Sequence, residues 1–449
     1  MNIFNDFKTD KYILKLALPA IAGLSTQMIV SLVDTAMVGR LPNAEFYLAA
    51  MGLGVLATWA IISFFSSLAT GTHVLIARGF GQKNYEHCGE VLNTSIIIGM
   101  VLGVVVSLLV VTNAYLISDF FAADDQVGIY AGDYLYYRFM GIPFFLITVS
   151  YRGFFFGIGK TKIFMISGIL VNFLNITFNY MFIFGAFGYE GMGLAGAGLG
   201  STIATICDAI FYLVVSSFVQ YRSRYHYFKS FRFNREIAEK ILRISLPVSF
   251  QNVFILVGFL SFVAITGLIG TLEQAASQIV ISALMISFMP CNGFGIAIQT
   301  LVGNSLGEKN VLKAKHFGYV TSKLATYYTT IVAIIFLIAP QFILVLVTND
   351  SDVIEAATPA LRIVGFGQVF YAVGIVLSNG LQAAGRTFFV MMAEVLVNWV
   401  VFVPLAYLLG VVLGYGLEGA WAALPFYVIL YSVIIFVKFK SDKMNTLKN

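Results

Sequence analysis

The sequence predicts an all-α membrane protein with twelve transmembrane helices in two six-helix bundles, related by a pseudo-two-fold axis along the membrane normal. Two observations carry the membrane assignment. Hydrophobic residues make up 59% of the chain and charged residues only 11%, with a mean hydropathy of +0.88, whereas ordinary globular chains carry about 25% charge. Charge-free runs also follow one another along the sequence. A third observation, an internal repeat, predicts the two bundles.

The first span begins at Leu16, where eighteen uncharged residues run to Val33 and then meet Asp34. A run of this length predicts a spanning helix, because about twenty residues at 1.5 Å each cover a hydrocarbon core of roughly 30 Å. Charges and turn residues delimit eleven further spans. They lie at 46–76, 91–118, 134–157, 163–187, 192–219, 243–270, 276–302, 317–347, 356–383, 387–411 and 417–438.

Basic residues predict the orientation. Lysines and arginines concentrate on alternate loops, including Lys83, Lys160, the cluster from Arg222 to Arg243 and the tail from Lys438, whereas the other loops carry mostly acids. By the positive-inside rule, both termini are expected in the cytoplasm. We expect a multi-pass protein of the cell membrane, such as a bacterial inner membrane.

Short segments of the first half return in order in the second half. LKLALP at Leu14 returns as LRISLP at Leu242, GQKN at Gly81 as GEKN at Gly307, and GKT at Gly159 as GRT at Gly385. This order predicts an N-lobe over residues 1–220, a basic cytoplasmic linker over 221–242 and a C-lobe over 243–449. Parallel repeats around a central cleft are typical of transporters.

The linker interleaves basic and aromatic residues from Tyr221 onward. Such a segment could bind nucleic acid, but its cytoplasmic place between two spans favours contact with anionic lipid headgroups. We therefore expect membrane lipids, and no nucleic acid, as partners. Neither the three cysteines nor the four histidines show metal-ligand spacing, and no HExxH-type motif occurs. The sequence therefore predicts that the protein is not an enzyme and that it has no metal site and no cofactor.

Asp34 is the first candidate functional residue. An ionised Asp inside a spanning helix costs roughly 2.5 to 3.5 kcal/mol on insertion scales, so such residues usually face a cavity and act there. The alternative is an interfacial carboxylate at the helix end, since Arg40 follows six residues later.

Several motifs carry a family resemblance. VDTAMVGRL at Val33, ARGFGQKN after the second span, YLYYRFMGIP at Tyr134 and GLAGAGLGSTIAT at Gly193 resemble the multidrug and toxic compound extrusion (MATE) family. The helix-one Asp and the following GR resemble its DinF-type branch more than its NorM-type branch. The resemblance implies a monomeric antiporter that exports organic cations or amphipathic compounds in exchange for protons or sodium.

The resemblance also implies an ion-coupling site at Asp34, where sodium could bind in place of a proton. Similar proteins carry a helix-five Asn-x-x-x-Asp motif, but here Asn175 is followed by Asn179. The spacing of four places both amides on one helical face. The expected neutral partners of Asp34 are therefore Asn172, Asn175, Asn179, Ser201 and Thr202.

The position that repeats Asp34 in the second half falls near Ser261, where no acid occurs. Glu394 and Asp208 are further intramembrane acids, and each could pair with a basic residue such as Arg152 as a structural link. Pro19 and its repeat Pro247 are candidate helix bends, because proline lacks a backbone donor. A lipid-linked precursor flippase of the same superfamily is the alternative function, and a channel also remains open.

Overall fold

The computed structural model describes residues 7–42, 44–122, 124–186, 188, 190–226 and 232–444. Within these ranges the regular structure is helical, with no strand. The long helices are α1 Phe7–Val38, α2 Ala44–Gly81, α3 Tyr85–Thr112, α4 Asp125–Phe139 with Ile142–Gly157, α5 Thr161–Phe184, α6 Leu194–Ser217, α7 Arg235–Ile269, α8 Thr271–Gly307, α9 Val311–Ile338, α10 Ser351–Ala383, α11 Thr387–Val412 and α12 Gly416–Ser441.

Eleven of these helices in the described part of the chain are long and apolar enough to cross a membrane, and the bent pair α4 brings the number to twelve. Helices can span lipid because every backbone donor and acceptor is satisfied within the segment. The all-α membrane class and its twelve apolar spans are therefore confirmed.

Several spans depart from uniform helices, among them the third, the fourth and the eleventh. The third predicted span is interrupted at Asn113, after which a short helix covers Ala114–Phe121. The fourth bends by 50° between Phe139 and Ile142. Its second half starts with Pro143 in the first turn, where the missing N–H costs least. Within α11 the backbone widens into π-helix over Val397–Phe402 and again over Leu408–Val412.

The repeated motifs adopt the same backbone structure. Lys83 and Lys309 are left-handed, with φ of 61° and 60°, and each follows the end of a long helix. The next residue in each copy caps the following helix. Asn84 Oδ1 accepts from the His87 amide at 3.2 Å, and Asn310 Oδ1 accepts from the Lys313 amide at 2.9 Å. The sequence repeat is thus also a repeat of local structure.

The chain divides into two compact units. We call Ala22–Ser249 the N-unit, and we call the described residues of 1–21 and 250–449 the C-unit. The divisions after Ile21 and Ser249 lie two residues beyond the two prolines that α1 and α7 carry inside them. The lobe boundaries that the sequence suggested at 220 and 243 stay a prediction about the repeat.

Each unit has its own aromatic core. In the N-unit, Tyr151 and Tyr212 stack with ring centroids 5.8 Å apart, and both side chains are fully buried. In the C-unit, Trp421 packs against Phe262 at 4.7 Å and donates from Nε1 to Ser277 Oγ at 3.1 Å. Each unit therefore packs around buried aromatic side chains of its own.

Candidate functional site

Asp34 lies four residues before the end of α1, and its side chain is half-buried. The helix is longer than the apolar run, so Asp34 lies nearer a helix end than the centre of the span. The carboxylate nevertheless faces the protein, because Oδ1 accepts a hydrogen bond of 2.8 Å from Nδ2 of Asn179 on α5. This contact connects α1 with α5 within the N-unit.

A chain of side-chain hydrogen bonds continues from Asn179. Its Nδ2 also donates to Asn175 Oδ1 at 3.2 Å, one helical turn earlier. Asn175 Nδ2 in turn donates to Ser201 Oγ on α6 at 3.0 Å. Asn175 and Asn179 are buried, so the chain links three helices through neutral groups and ends in one carboxylate.

Gly200 allows α6 to approach this chain. A Cβ atom at position 200 would collide with the amide oxygen of Asn179. The close approach of the two helices therefore requires glycine at this position. That amide oxygen is buried, and no hydrogen-bond partner for it lies among the described residues. The same is true of Asn172 Nδ2. Water or a ligand could satisfy both atoms.

Thr202 takes no part in the row of hydrogen bonds that leads from Asp34 to Ser201. Its hydroxyl group donates to the backbone carbonyl oxygens of Tyr137 and Arg138, at 2.8 and 3.2 Å. Those carbonyls belong to the last turn before the bend of α4, where the Arg138 carbonyl also accepts from the Gly141 amide at 3.4 Å. Thr202 therefore holds the end of the first half of α4 against α6.

Arg138 is a site residue that sequence reasoning missed. Its charge interacts with the Asp34 carboxylate, although no direct ion pair between them occurs in the described structure. Tyr134, one turn earlier on the same helix, is buried. The available signal was an arginine inside the predicted span 134–157. The bend that follows this residue leaves no clear pattern in the sequence.

Asp208 belongs to a second buried polar cluster of the N-unit. Its Oδ2 lies 3.1 Å from Arg152 Nη2, and its Oδ1 accepts from Ser167 Oγ at 2.5 Å. The Arg152 guanidinium also lies 5.3 Å from the Phe164 ring centre. This arrangement connects α4, α5 and α6 and has the geometry of a structural link.

Glu394 lies in the C-unit and has a different environment. It is 2% exposed, and Tyr427 Oη donates a hydrogen bond to its Oε1. Tyr431, one turn further along α12, also faces it. No ion pair of Glu394 appears in the described ranges, so the structure places tyrosines where the sequence suggested a basic partner.

Spans of this kind with buried carboxylates and amides are typical of membrane transport proteins. The fold and this site define the chain as a polytopic membrane transporter. It belongs to the MatE family, whose model matches residues 19–181 and 247–408. Because the model matches twice, the family assignment independently supports two repeated halves.

The most similar relatives include proteins named for multidrug resistance. The chain is 29% identical over 443 residues to the probable multidrug resistance protein NorM of Thermotoga maritima, covering 96% of this chain and 92% of the relative. It is 26% identical over 420 residues to the uncharacterized transporter YisQ of Bacillus subtilis, covering 90% and 88%.

Solved structures share the fold. The crystal structure of MATE in complex with MaD3S matches with a TM-score of 0.89 and 22% sequence identity, covering 96% of this chain and 95% of that chain. A MOP superfamily transporter from Pyrococcus furiosus matches with a TM-score of 0.86 and 23% identity, with the same coverage.

Proposed function

We propose that this protein is a secondary active multidrug efflux antiporter, which exports organic cations or amphipathic compounds in exchange for protons by alternating access. The observation that carries the proposal is the single carboxylate of Asp34, held by Asn179 at 2.8 Å in a span of a MatE family member. The NorM relatives, named for multidrug resistance, support the substrate class.

Asp34 is the proposed coupling residue because it can gain and lose charge, whereas its partners cannot. Asn179, Asn175 and Ser201 are neutral in both states. Protonation of Asp34 therefore removes the only negative charge of the hydrogen-bonded chain. It also makes the carboxyl group a donor, which rearranges the bonds that connect α1 with α5. A proton arriving at Asp34 can thus change both the charge and the contacts of α1.

Pro19 and Pro247 are the proposed bend points of this cycle. Each lies inside a long helix, where its ring removes one backbone hydrogen bond and makes bending easier. Because Asp34 and Pro19 share α1, a change in the contacts of Asp34 can bias the shape of that helix.

Sodium at Asp34 is the alternative coupling ion, and a lipid-linked precursor flippase is the alternative function. A flippase would favour a markedly cationic cavity to hold pyrophosphate. In the N-unit, Arg152 is paired with Asp208 at 3.1 Å and Arg138 interacts with Asp34. These neighbouring acids offset both positive charges, which favours the efflux antiporter.

We further propose that the protein works as a monomer in the bacterial inner membrane, with both termini in the cytoplasm. The excess of basic residues on alternate loops supports this orientation. Reporter fusions after residue 448 and within residues 119–125 should label opposite sides of the membrane. Labelling on one side would contradict the orientation and the parallel repeat.

The experiment that tests the function uses purified protein in liposomes. Efflux of an organic cation is measured with an imposed proton gradient, with an imposed sodium gradient and with neither. Proton-coupled antiport predicts saturable transport that the proton gradient alone drives. Transport driven only by sodium would change the coupling ion, and no gradient-dependent transport would contradict the antiporter.

A further inference from the structure

Lys323 is a charged residue within a span, and the mechanism proposed above does not use it. It lies in α9, and its side chain is only 7% exposed. Its Nζ donates to both carboxylate oxygens of Asp10, at 2.9 and 3.0 Å. Asp10 belongs to the first turn of α1, and its side chain is 18% exposed. A buried lysine requires an oppositely charged partner, and the start of α1 supplies one.

The ion pair is part of a larger contact that the first turns of α1 make within the C-unit. Ile13, Leu16 and Ala17 are buried in the same apolar core as Phe294 and Ala297 of α8. The start of α1 is therefore held in the C-unit by packing as well as by charge, and it is counted in that unit.

The packing partner of α1 changes just after Pro19. A Cβ atom at Gly293 of α8 would collide with Ile21, so α1 and α8 approach closely within the C-unit. A Cβ atom at Gly23, two residues later, would collide with the Phe164 ring of α5 in the N-unit. One continuous helix thus belongs to both units, and the change lies beside its proline.

The repeat helix α7 also changes units, but neutral groups hold its first part. Its residues up to Ser249 belong to the N-unit. There Ser249 Oγ lies 2.5 Å from Ser67 Oγ, and both side chains are buried. No acid occurs near Ser261 of α7, where the position equivalent to Asp34 falls. The buried ion pair thus lies on the helix that also carries the proposed coupling acid.

We propose that Asp10 and Lys323 are positioning residues for proton coupling. Their ion pair fixes the start of α1 in the C-unit, whereas Asp34 connects its other end with α5 of the N-unit. When protonation changes the contacts of Asp34, a helix that is fixed at its start transmits the change through Pro19 to the C-unit. Without the ion pair, Asp34 would exchange protons with less effect on the C-unit. This inference rests on the proposed antiport with its proton at Asp34.

The ratio of cation exported to protons taken up tests the proposal, with radiolabelled tetraethylammonium and purified protein in liposomes. Asp10→Asn and Lys323→Met should each lower this ratio by about fivefold or more, the lower end of the coupling typical between two sites. The double variant should be no worse than either single variant, because all three lack the same ion pair. Asp10→Glu keeps the charge and should retain most of the parental ratio.

Two control variants separate coupling from stability. Lys11→Gln changes an exposed charge next to Asp10 and should match the parent. Ser249→Ala removes the buried hydroxyl contact of α7, so it should lower the melting temperature but keep the parental ratio. If the ion pair served stability alone, Asp10→Asn would lose cation export and proton uptake together and would also keep the parental ratio.

Hydrogen–deuterium exchange in detergent tests the same inference without transport. Asp34→Asn should change amide exchange in residues 22–38 and also in α9, to which the start of α1 is fixed. When Asp34→Asn is combined with Asp10→Asn, the change in α9 should disappear and that in residues 22–38 should remain.

Two results would overturn the role of the ion pair. They are a parental export ratio in folded Asp10→Asn, or a response of α9 to Asp34→Asn that does not depend on Asp10. Failure of the proposed antiport would differ, since the parent itself would then show no proton-driven export. The exchange experiment would still decide whether Asp10 connects Asp34 with α9.

Discussion

The amide nitrogen of Asn179 donates a hydrogen bond of 2.8 Å to the carboxylate of Asp34, across 145 positions of sequence. The same nitrogen donates to Asn175 at 3.2 Å. Both hydrogens of the amide are therefore used, which fixes the orientation of the Asn179 side chain. Only the Asp34 end of this chain can change its charge.

Replacing Asp34 with Asn should abolish the coupling of efflux to the proton gradient and leave the fold intact. The amide is isosteric and its oxygen can still accept from Asn179, but it cannot release a proton. The measurement is cation efflux from liposomes against internal pH, with parent and variant matched for protein content. Parental efflux by Asp34→Asn under a pH gradient would contradict the mechanism.

Replacing Asn179 with Asp should move the pH optimum of proton-driven efflux upward. The new carboxylate would face Asp34, and two nearby acids share a proton that leaves at higher pH than from one acid alone. Asn179→Ala is the matched control. It removes a hydrogen bond to a charged group, worth roughly 1.5 to 3 kcal/mol, and should lower efflux without the same shift. An identical profile in both variants would exclude a shared proton.

Replacing Glu394 with Gln should leave more gradient-driven efflux than replacing Asp34 with Asn. Glu394 is enclosed by tyrosines in the C-unit, and its Oε1 accepts from Tyr427. We expect Tyr427→Phe to lower the free energy of unfolding by about 1 to 3 kcal/mol, since it leaves a buried acceptor unsatisfied. If Glu394→Gln abolished efflux and Asp34→Asn did not, coupling would lie in the C-unit.

Breaking the Arg152–Asp208 pair should destabilise the protein. Replacing Asp208 with Leu leaves a largely buried guanidinium group without its partner, and we expect a loss of about 3 to 5 kcal/mol in the free energy of unfolding. The double variant Arg152→Met with Asp208→Leu should recover much of this loss. Chemical unfolding in detergent measures both.

The exposed pair Lys240–Glu236, with 2.7 Å between Nζ and Oε1, is the matched control for that cycle. Its removal should have little measurable effect on the free energy of unfolding, because surface ion pairs are screened by solvent. An equal cost for the two pairs would show that burial does not strengthen the Arg152 link.

The contact between Asp442 and Arg386 in the C-unit is expected to be sensitive to acid. Burial raises the pKa of Asp442, but hydrogen bonds from Arg386 and from the Met444 amide outweigh burial and hold the pKa below its ordinary value. A group whose pKa is lowered in the folded state stabilises that state at pH values above the unfolded-state pKa, which is about 3.9 for Asp. This stabilisation is lost as the pH falls through the folded-state pKa.

The melting temperature of Asp442→Asn should therefore lie below that of the parent near neutral pH. The difference should begin to shrink below about pH 4 and vanish once the pH is below the folded-state pKa of Asp442. Asp352→Asn, which changes an exposed acid of the same unit, should match the parent at each pH. A difference between Asp442→Asn and the parent that did not change with pH would contradict the role of the Arg386 contact.

Hydropathy predicted the twelve spans because a spanning helix must be apolar over a known length. It could not predict the bend after Phe139 or the π-helical turns from Val397, since both leave the composition of a span unchanged. Arg138 lies in the last turn before that bend, in a span that hydropathy treats as one continuous helix, so sequence reasoning missed it.

The side chains around Asp34 were predictable in part. Helical spacing places Asn175 and Asn179 on one face, and the resemblance directed attention to Asp34 and Ser201. Thr202 was expected beside Asp34, but the structure shows its hydroxyl on the backbone of α4. Which polar groups meet depends on the rotation and depth of neighbouring helices, and a single sequence does not encode these directly.

The left-handed lysines at 83 and 309 show what the two halves have in common and where they differ. Both copies of the turn keep an unfavourable backbone conformation and the same asparagine cap, whereas no acid occurs near Ser261, where the position equivalent to Asp34 falls. The two halves therefore share the geometry of chain reversal, whereas only the first half carries an acid at this depth of its first helix. Similarity between the halves is therefore a guide to their turns and not to their functional residues.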